Sequence, residues 1–451
     1  MDAKAATSLD IGFWLRETAA SRSLGGDILV VDPRMRELRP KRPTLRFAAA
    51  CAIAACSGAA AQQPEDSFGI ADSLARGRFT LELRPRYNRI DESDKPERTE
   101  GGTVRLTVGF VSAPLQMTRF MVEGIHTDQV DPHFNDDGGN INGSPYPLLP
   151  DPRYTGMNRV YVEYQGLPDT RIRTGRQRVR LDNQRWISDN DFRQIPQLFD
   201  GVETVYTGLA SMELYGAYFG RVRTTSGDTN DLNLTLLHAA WNPLPGQSVS
   251  AYAYFHDQAQ NGAFTGFADN SYRVIGVRWT GSAAPWLGWN AVDVPFEAEF
   301  ATQRAHSGGD ARIDANYWRV GGGIAWRETV ARLDYEVKES NGGRYAVQMP
   351  LTDFYAFNGW TLHFYNTPRQ GLRDSWATLR QGWRDFTLYG EYHRFRSDFG
   401  GIDFGRELDV GLTYAWNENT ALRFQHARYD PGAATTDPRI RKTWITFTWK
   451  Y

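Results

Sequence analysis

From Phe79 to Tyr451 apolar and polar residues alternate in short runs, and the segments between the runs are short and long by turns. Alternation with period two marks a strand with one apolar and one polar face. The first run, Phe79–Ile90, sets Phe79, Leu81 and Leu83 against Thr80, Glu82, Arg84 and Arg86. The second, Thr103–Val111, sets Val104, Leu106, Val108 and Phe110 against Arg105 and Thr107. Ser112–Gln116 is a short turn, and Met117–Thr127 returns. A loop rich in Asp, Asn, Gly and Pro then fills residues 128–157.

The rhythm repeats through Asn158–Gln165, Thr170–Val179, Leu198–Thr207, Ser211–Arg221, Asp231–Trp241, Gln247–Asp257, Tyr272–Thr280 and Val292–Thr302. It continues through Asn316–Trp326, Thr329–Lys338, Asp374–Gln381, Phe386–Phe395, Arg406–Trp416 and Thr420–Tyr429. Lys442–Tyr451 closes the series on an aromatic residue. These runs predict an all-β fold, a transmembrane antiparallel β-barrel of about 18 strands. With an even strand count, both ends of the barrel lie on the short-turn side, which is periplasmic in bacterial outer-membrane barrels. The long loops, among them 128–157, 180–197 and 339–372, are then extracellular. A soluble propeller or solenoid needs a repeat of fixed period, and the chain shows none.

Composition agrees with lipid as the solvent. Mean hydropathy is −0.52, which a barrel tolerates because only alternate residues face lipid. No apolar run long enough for a helical span exists beyond residue 62. Aromatic residues make up 13% of the chain, as interfacial girdles require. Arg39–Arg46 is basic, Phe47–Cys56 is apolar, and Ala59-Ala60-Ala61 forms a small-residue cleavage site. We therefore read 1–34 as an over-extended start, 35–61 as a signal peptide, 62–78 as a periplasmic segment and 79–451 as the barrel. A lipoprotein box ending at Cys56 is the alternative. Both cysteines, Cys51 and Cys56, fall in the signal, so the mature chain has no thiol or disulfide chemistry.

Net charge is −2, which gives no ground for nucleic-acid binding. Only six of the 51 basic residues are lysine. Arginine offers a planar fork that grips carboxylates through two bonds, although a GC-rich genome produces the same bias. Parity places Arg84, Arg105, Arg159, Arg171, Arg173, Arg319, Arg380 and Arg423 on the non-lipid face. An Arg on the lipid face would cost about 2–4 kcal/mol at the midplane. Such residues can set pore selectivity or simply pair with inward carboxylates. Arg171 and Arg173 have few carboxylates near them in sequence. The densest polar segment runs Gly175-Arg176-Gln177-Arg178-Val179-Arg180-Leu181-Asp182-Asn183-Gln184-Arg185-Trp186, then Asp191-Phe192-Arg193-Gln194 and Phe199-Asp200-Gly201-Val202. It reads as a loop folded into the pore mouth, or as a network stapling two strands at the rim.

This Gly-Arg-Gln … Leu-Asp-Asn-Gln-Arg-Trp … Arg-Gln … Phe-Asp-Gly-Val stretch resembles the alginate-export family of outer-membrane porins. The resemblance covers the strand series and the aromatic end, residues 76–451. It implies a monomeric 18-stranded barrel with an Arg-rich, anion-selective lumen that passes an acidic polysaccharide. Carried over by position, Arg176, Arg178, Asp182, Asn183, Gln184, Arg185, Arg193 and Asp200 become pore candidates. One departure is that every periplasmic turn is short, the widest near Gly281–Asn290, whereas the family's exporter closes its pore with an extended periplasmic loop. A channel for small organic solutes is therefore the alternative within transport. A filled-barrel adhesin working through loops 128–157 and 339–372 is the alternative outside it. Expected partners are outer-membrane lipid, an anionic polysaccharide or small anion, and the assembly machinery engaging the C-terminal strand. No cofactor is expected. The eight histidines show no HExxH or HxxEH spacing, and the acidic stretch Asp131–Asp137 reads as solvated loop rather than a Ca²⁺ site.

Overall fold

The computed structural model describes residues 69–136, 143–258, 265–289 and 291–451. The signal reading over 35–61, with Cys51 and Cys56, lies outside them, as does Asp137 of the acidic stretch. A short helix, α1 (Ile70–Ala75), precedes the strands. They are β1 (Arg78–Glu92), β2 (Thr99–Val111), β3 (Thr118–His133), β4 (Tyr154–Tyr164), β5 (Thr170–Gln177), β6 (Leu198–Leu209), β7 (Met212–Arg223), β8 (Thr229–Trp241) and β9 (Gln247–Asp257). The second half holds β10 (Tyr272–Ser282), β11 (Pro295–Ala305), β12 (Asp314–Trp326), β13 (Thr329–Lys338), β14 (Leu372–Trp383), β15 (Phe386–Arg396), β16 (Asp403–Asn417), β17 (Thr420–Pro431) and β18 (Ile440–Lys450).

Each strand pairs antiparallel with its neighbours in sequence. β18 then pairs with β1, from Glu82↔Lys450 to Glu92↔Ile440, and closes the barrel. Leu81 and Tyr451 extend the seam by exchanging backbone hydrogen bonds of 3.1 and 2.8 Å. Closure is required because lipid offers no partner to an unpaired strand edge.

Alternation sorts the side chains as the pattern predicts. On β2, Thr103, Arg105 and Thr107 are buried in the lumen while Val108 is exposed on the outside. On β13, Leu333 faces out and Asp334 and Glu336 face in. Exposed Trp241, Trp286, Trp326, Trp383, Trp416 and Trp449 flank the short turns, where amphipathic rings sit at a lipid–water boundary.

Strand ends differ from expectation mainly on the long-loop side. β3 runs to His133 rather than Thr127, and β4 begins at Tyr154 rather than Asn158. Above the lipid band water surrounds the outer face, so pairing continues without apolar alternation. β5 ends earlier, at Gln177, because the chain turns into the lumen. β11 starts at Pro295, not Val292, because α2 (Ala284–Leu287) occupies the preceding turn.

The largest apolar cluster lies inside the barrel. Val179, Leu181, Trp186 and Ile187 pack there with Tyr252, Tyr317, Tyr345, Met349 and Leu351. Two segments between strands, 178–197 and 339–371, supply most of the chain that fills the lumen.

Leu333→Arg should destabilise the folded barrel by about 2–4 kcal/mol, read as a lower urea midpoint in lipid vesicles. An unchanged midpoint would contradict the assignment of that face to lipid.

Candidate functional site

The 178–197 segment crosses the lumen and is held from both sides. On the β1–β2 side, Arg84 Nη1 donates to the Asp191 carbonyl at 2.7 Å, and Arg105 Nη1 meets Asp191 Oδ1 at 2.8 Å. Arg105 also grips Glu82. Arg178 and Arg180 reach Asp189 at 3.3 and 2.7 Å, and Arg178 reaches Asp191 at 3.3 Å. On the far side, Asp182 accepts from Ser250 at 2.8 Å and lies 2.9 Å from His238 Nε2. Asn183 donates to Glu297 at 2.9 Å, and Trp186 Nε1 to Glu299 at 3.0 Å. Arg185 is fully buried between Glu336, at 2.6 Å, and Asn358 Oδ1, at 2.8 Å. The segment is thus a strut between opposite walls.

The 339–371 segment folds in against it. The Ser188 amide donates to the Leu351 carbonyl at 2.9 Å, and the Asp353 amide to the Gln184 carbonyl at 3.0 Å. Phe192 stacks on Tyr355 with centroids 3.5 Å apart, and Trp444 meets both rings edge-on. Gly359 has φ +85°, and a Cβ there would sit 2.4 Å from the Glu407 carboxyl carbon, so this loop reaches the wall only with glycine. Sequence reading treated 339–372 as surface. The missed signal is its composition, with Tyr345, Phe354, Tyr355, Phe357, Trp360 and Phe364 close together.

The other predicted residues fall into three groups. Most inward arginines are matched by carboxylates on neighbouring strands. Arg159 pairs with Glu123 at 2.6 Å, Arg173 with Glu163 at 2.8 Å, Arg171 with Glu203 at 2.9 Å, and Arg319 with Glu297 and Asp334 at 3.2 Å each. Arg176 and Asp200 form a second group. They join through two 2.7 Å bonds on the outer face of the wall, beside the outward pair Arg221–Asp231. They are not brought to the lumen, because Arg176 has opposite parity to Arg171 and Arg173.

The third group is unpaired. Arg193, Arg380 and Arg423 make no ion pair with a carboxylate among the described residues, and neither does Lys442, which sequence reading passed over. Arg380 and Arg423 stand at matching heights above the short turns, on inward positions of β14 and β17. Arg423 is exposed to the lumen. Arg193 and Lys442 stand higher, within electrostatic reach of each other, and Arg193 also faces Arg86, whose guanidinium lies 4.3 Å over the Phe192 ring. Unpaired cations therefore run down one side of the lumen from the constriction.

The alginate-export family profile matches residues 78–376. The chain belongs to the alginate-export family. No curated protein matches it. Among solved structures, OpdQ of Pseudomonas aeruginosa shares 12% identity with a TM-score of 0.65, over 83% of this chain and 99% of that one. OccAB2 of Acinetobacter baumannii shares 12% at 0.64, over 84% and 98%. P. aeruginosa OpdK, solved with vanillate, shares 14% at 0.62, over 84% and 99%. At these identities the likeness is one of fold. This alginate-export family member is an outer-membrane channel of Gram-negative bacteria, not an enzyme.

Charge balance holds the constriction of this family member together. Burial favours a neutral Asp191, but Arg105, Arg178, Arg84 and Arg180 outweigh it and hold the carboxyl well below the usual range. Burial likewise opposes charge on Asp182, and His238 and Ser250 overcome it. Asp353 differs. Burial, then the nearby Asp189, push its carboxyl up to about 6, and the Ala356 and Tyr355 amides and Arg180 only partly offset this.

Asp191→Asn should weaken docking of the 178–197 segment by about 1.5–3 kcal/mol, because it removes the carboxylate that Arg84, Arg105, Arg178 and Arg180 share and leaves them only Glu82 and Asp189. Faster proteolysis within 178–197, with the barrel still intact, is the expected readout. A second expectation concerns pH. The folded state binds the Asp353 proton more tightly than the unfolded chain does. Docking of 339–371 is therefore strongest near pH 4 and is lost as pH rises through about 6, by about 2–3 kcal/mol. Single-channel conductance should be larger at pH 7.5 than at pH 5, and Asp353→Asn should remove the difference.

Proposed function

We propose that this channel passes anionic, carboxylate-bearing solutes passively, and that acidic saccharides of the alginate type are its substrate class. The observation that carries the reading is the run of unpaired cations, Arg193, Lys442, Arg423 and Arg380. Each attracts a carboxylate at 4 Å by about 1 kcal/mol in bulk water and about 4 kcal/mol near a protein surface. Several weak sites in series let a solute leave as well as enter.

A second reading, small organic anions rather than polymer, is favoured by the many ties between the two luminal segments and the walls. A strut bonded at both ends leaves a fixed opening rather than one that widens for a chain. The barrel that holds vanillate, an aromatic carboxylate, belongs to the same fold.

Reversal potentials in a KCl gradient test the proposal. The wild-type channel should prefer anions. The triple change Arg193→Gln, Arg380→Gln, Arg423→Gln should abolish the preference. Arg176→Gln with Asp200→Asn, on the outer face, should leave it unchanged. Short oligouronates should interrupt the wild-type current, and polyuronate should do so only if polymer enters. A cation-selective wild-type channel would overturn the proposal.

A further inference from the structure

On the wall beneath the 339–371 segment, four carboxylates surround one imidazole. Asp374, Glu391, Glu407 and Asp409 are 6% exposed or less, and His393 is 2% exposed. Even a protonated His393 would leave this group anionic, and the basic side chains in electrostatic reach, Lys338 for Asp374 and Lys442 for Glu407, form no ion pair with it among the described residues. Buried charge without compensation is costly, so the cluster must hold either a cation or shared protons.

The hydrogen bonds say where. His393 Nδ1 lies 3.0 and 3.1 Å from the two Asp374 oxygens, which places the ring proton on Nδ1. In the neutral ring this leaves Nε2 as a lone pair. It is buried, has no hydrogen-bond partner, and points between Glu391 Oε2 at 3.6 Å and Asp409 Oδ2 at 3.9 Å. Asp409 Oδ1 is also buried without a partner. The remaining donors are already fixed. Thr378 Oγ1 bonds Glu391 Oε1 at 2.9 Å, and the Trp360 amide bonds Asp409 Oδ2 at 3.1 Å. The Thr361 amide and hydroxyl bond Glu407 at 2.6 and 2.5 Å.

We propose that Glu391, His393 and Asp409 form a binding site for one divalent transition-metal ion, of the zinc or manganese class. One donor atom from each lies within 4.8 Å of the others. The 3.6 and 3.9 Å separations compare with about 3.3 Å between ligands of a tetrahedral zinc site with bonds near 2.0 Å, so a small closure completes it. One imidazole with carboxylates suits zinc or manganese better than calcium, which takes oxygen alone. Asp374 acts as the outer carboxylate that orients the imidazole, an arrangement common to metal-bound histidines. Because the Trp360 and Thr361 amides hold Asp409 and Glu407, an ion here would brace the 339–371 segment against β15 and β16.

The test uses the folded protein in detergent, stripped with EDTA and titrated with ZnCl₂. One zinc per chain should survive gel filtration, and X-ray absorption should show one imidazole among oxygen ligands. His393→Gln should abolish retention, and Asp374→Asn should weaken it by about 10–100-fold. Folding of each variant is checked by heat-modifiable gel mobility. Should His393→Gln fail to fold, Asp409→Asn replaces it, with the same expected loss. Zinc retained equally by a folded His393→Gln or Asp409→Asn variant would overturn the site. So would a folded wild-type protein that retains neither zinc nor manganese, in which case shared protons occupy the cluster.

Discussion

Lipid cannot accept a hydrogen bond, and the rest of this structure follows from that. Every backbone amide within the membrane must find a partner in the sheet, so the sheet closes on itself between β1 and β18. The same solvent drives charged side chains to the inner face. There they meet one another across strands and must be neutralised locally. Glu163 shows the outcome, lying within reach of Arg119, Arg171 and Arg173 from the two strands that flank its own.

Neutralisation is not uniform around the wall. From β3 to β13 arginines and carboxylates are closely matched. On the arc formed by β14 to β18 and β1 the balance breaks in both directions. Arg380, Arg423 and Lys442 form no ion pair among the described residues, although Glu328 lies near Arg380 and Glu92 near Lys442, while acids crowd around His393 on the same arc. Two opposite imbalances so close together are hard to explain as wall packing, and each points to a bound ion of the opposite sign. One would be a solute in transit and the other a resident.

Much of the fold was legible because period-two alternation is imposed by the membrane itself. Thr329–Lys338 was read to the residue. The ends near the long loops were not, since water outside the lipid band removes the apolar requirement and the pattern fades. Partners across the sheet were also invisible. Arg171 and Arg173 looked isolated along the chain, yet Glu163 and Glu203 face them from adjacent strands. Arg176 is a different case. Counting by twos from Arg173 puts it outside, and the motif reading set that count aside. Arg178 escapes the same count only because β5 ends at Gln177. The aromatic run in 345–364 carried a legible signal of burial that its position between strands concealed.

The contact between Phe192 and Tyr355 has a mechanical consequence. The rings stack face to face, and backbone bonds join the same two segments at Ser188, Leu351, Gln184 and Asp353. The two segments therefore behave as one part with anchors on opposite walls. Loosening either end tilts the whole part rather than releasing one loop, so the aperture responds to distant wall residues as a lever responds to its fulcrum. The loops that stay outside can vary more freely, except where Phe267, Asp398 and Asp437 touch the 339–371 segment.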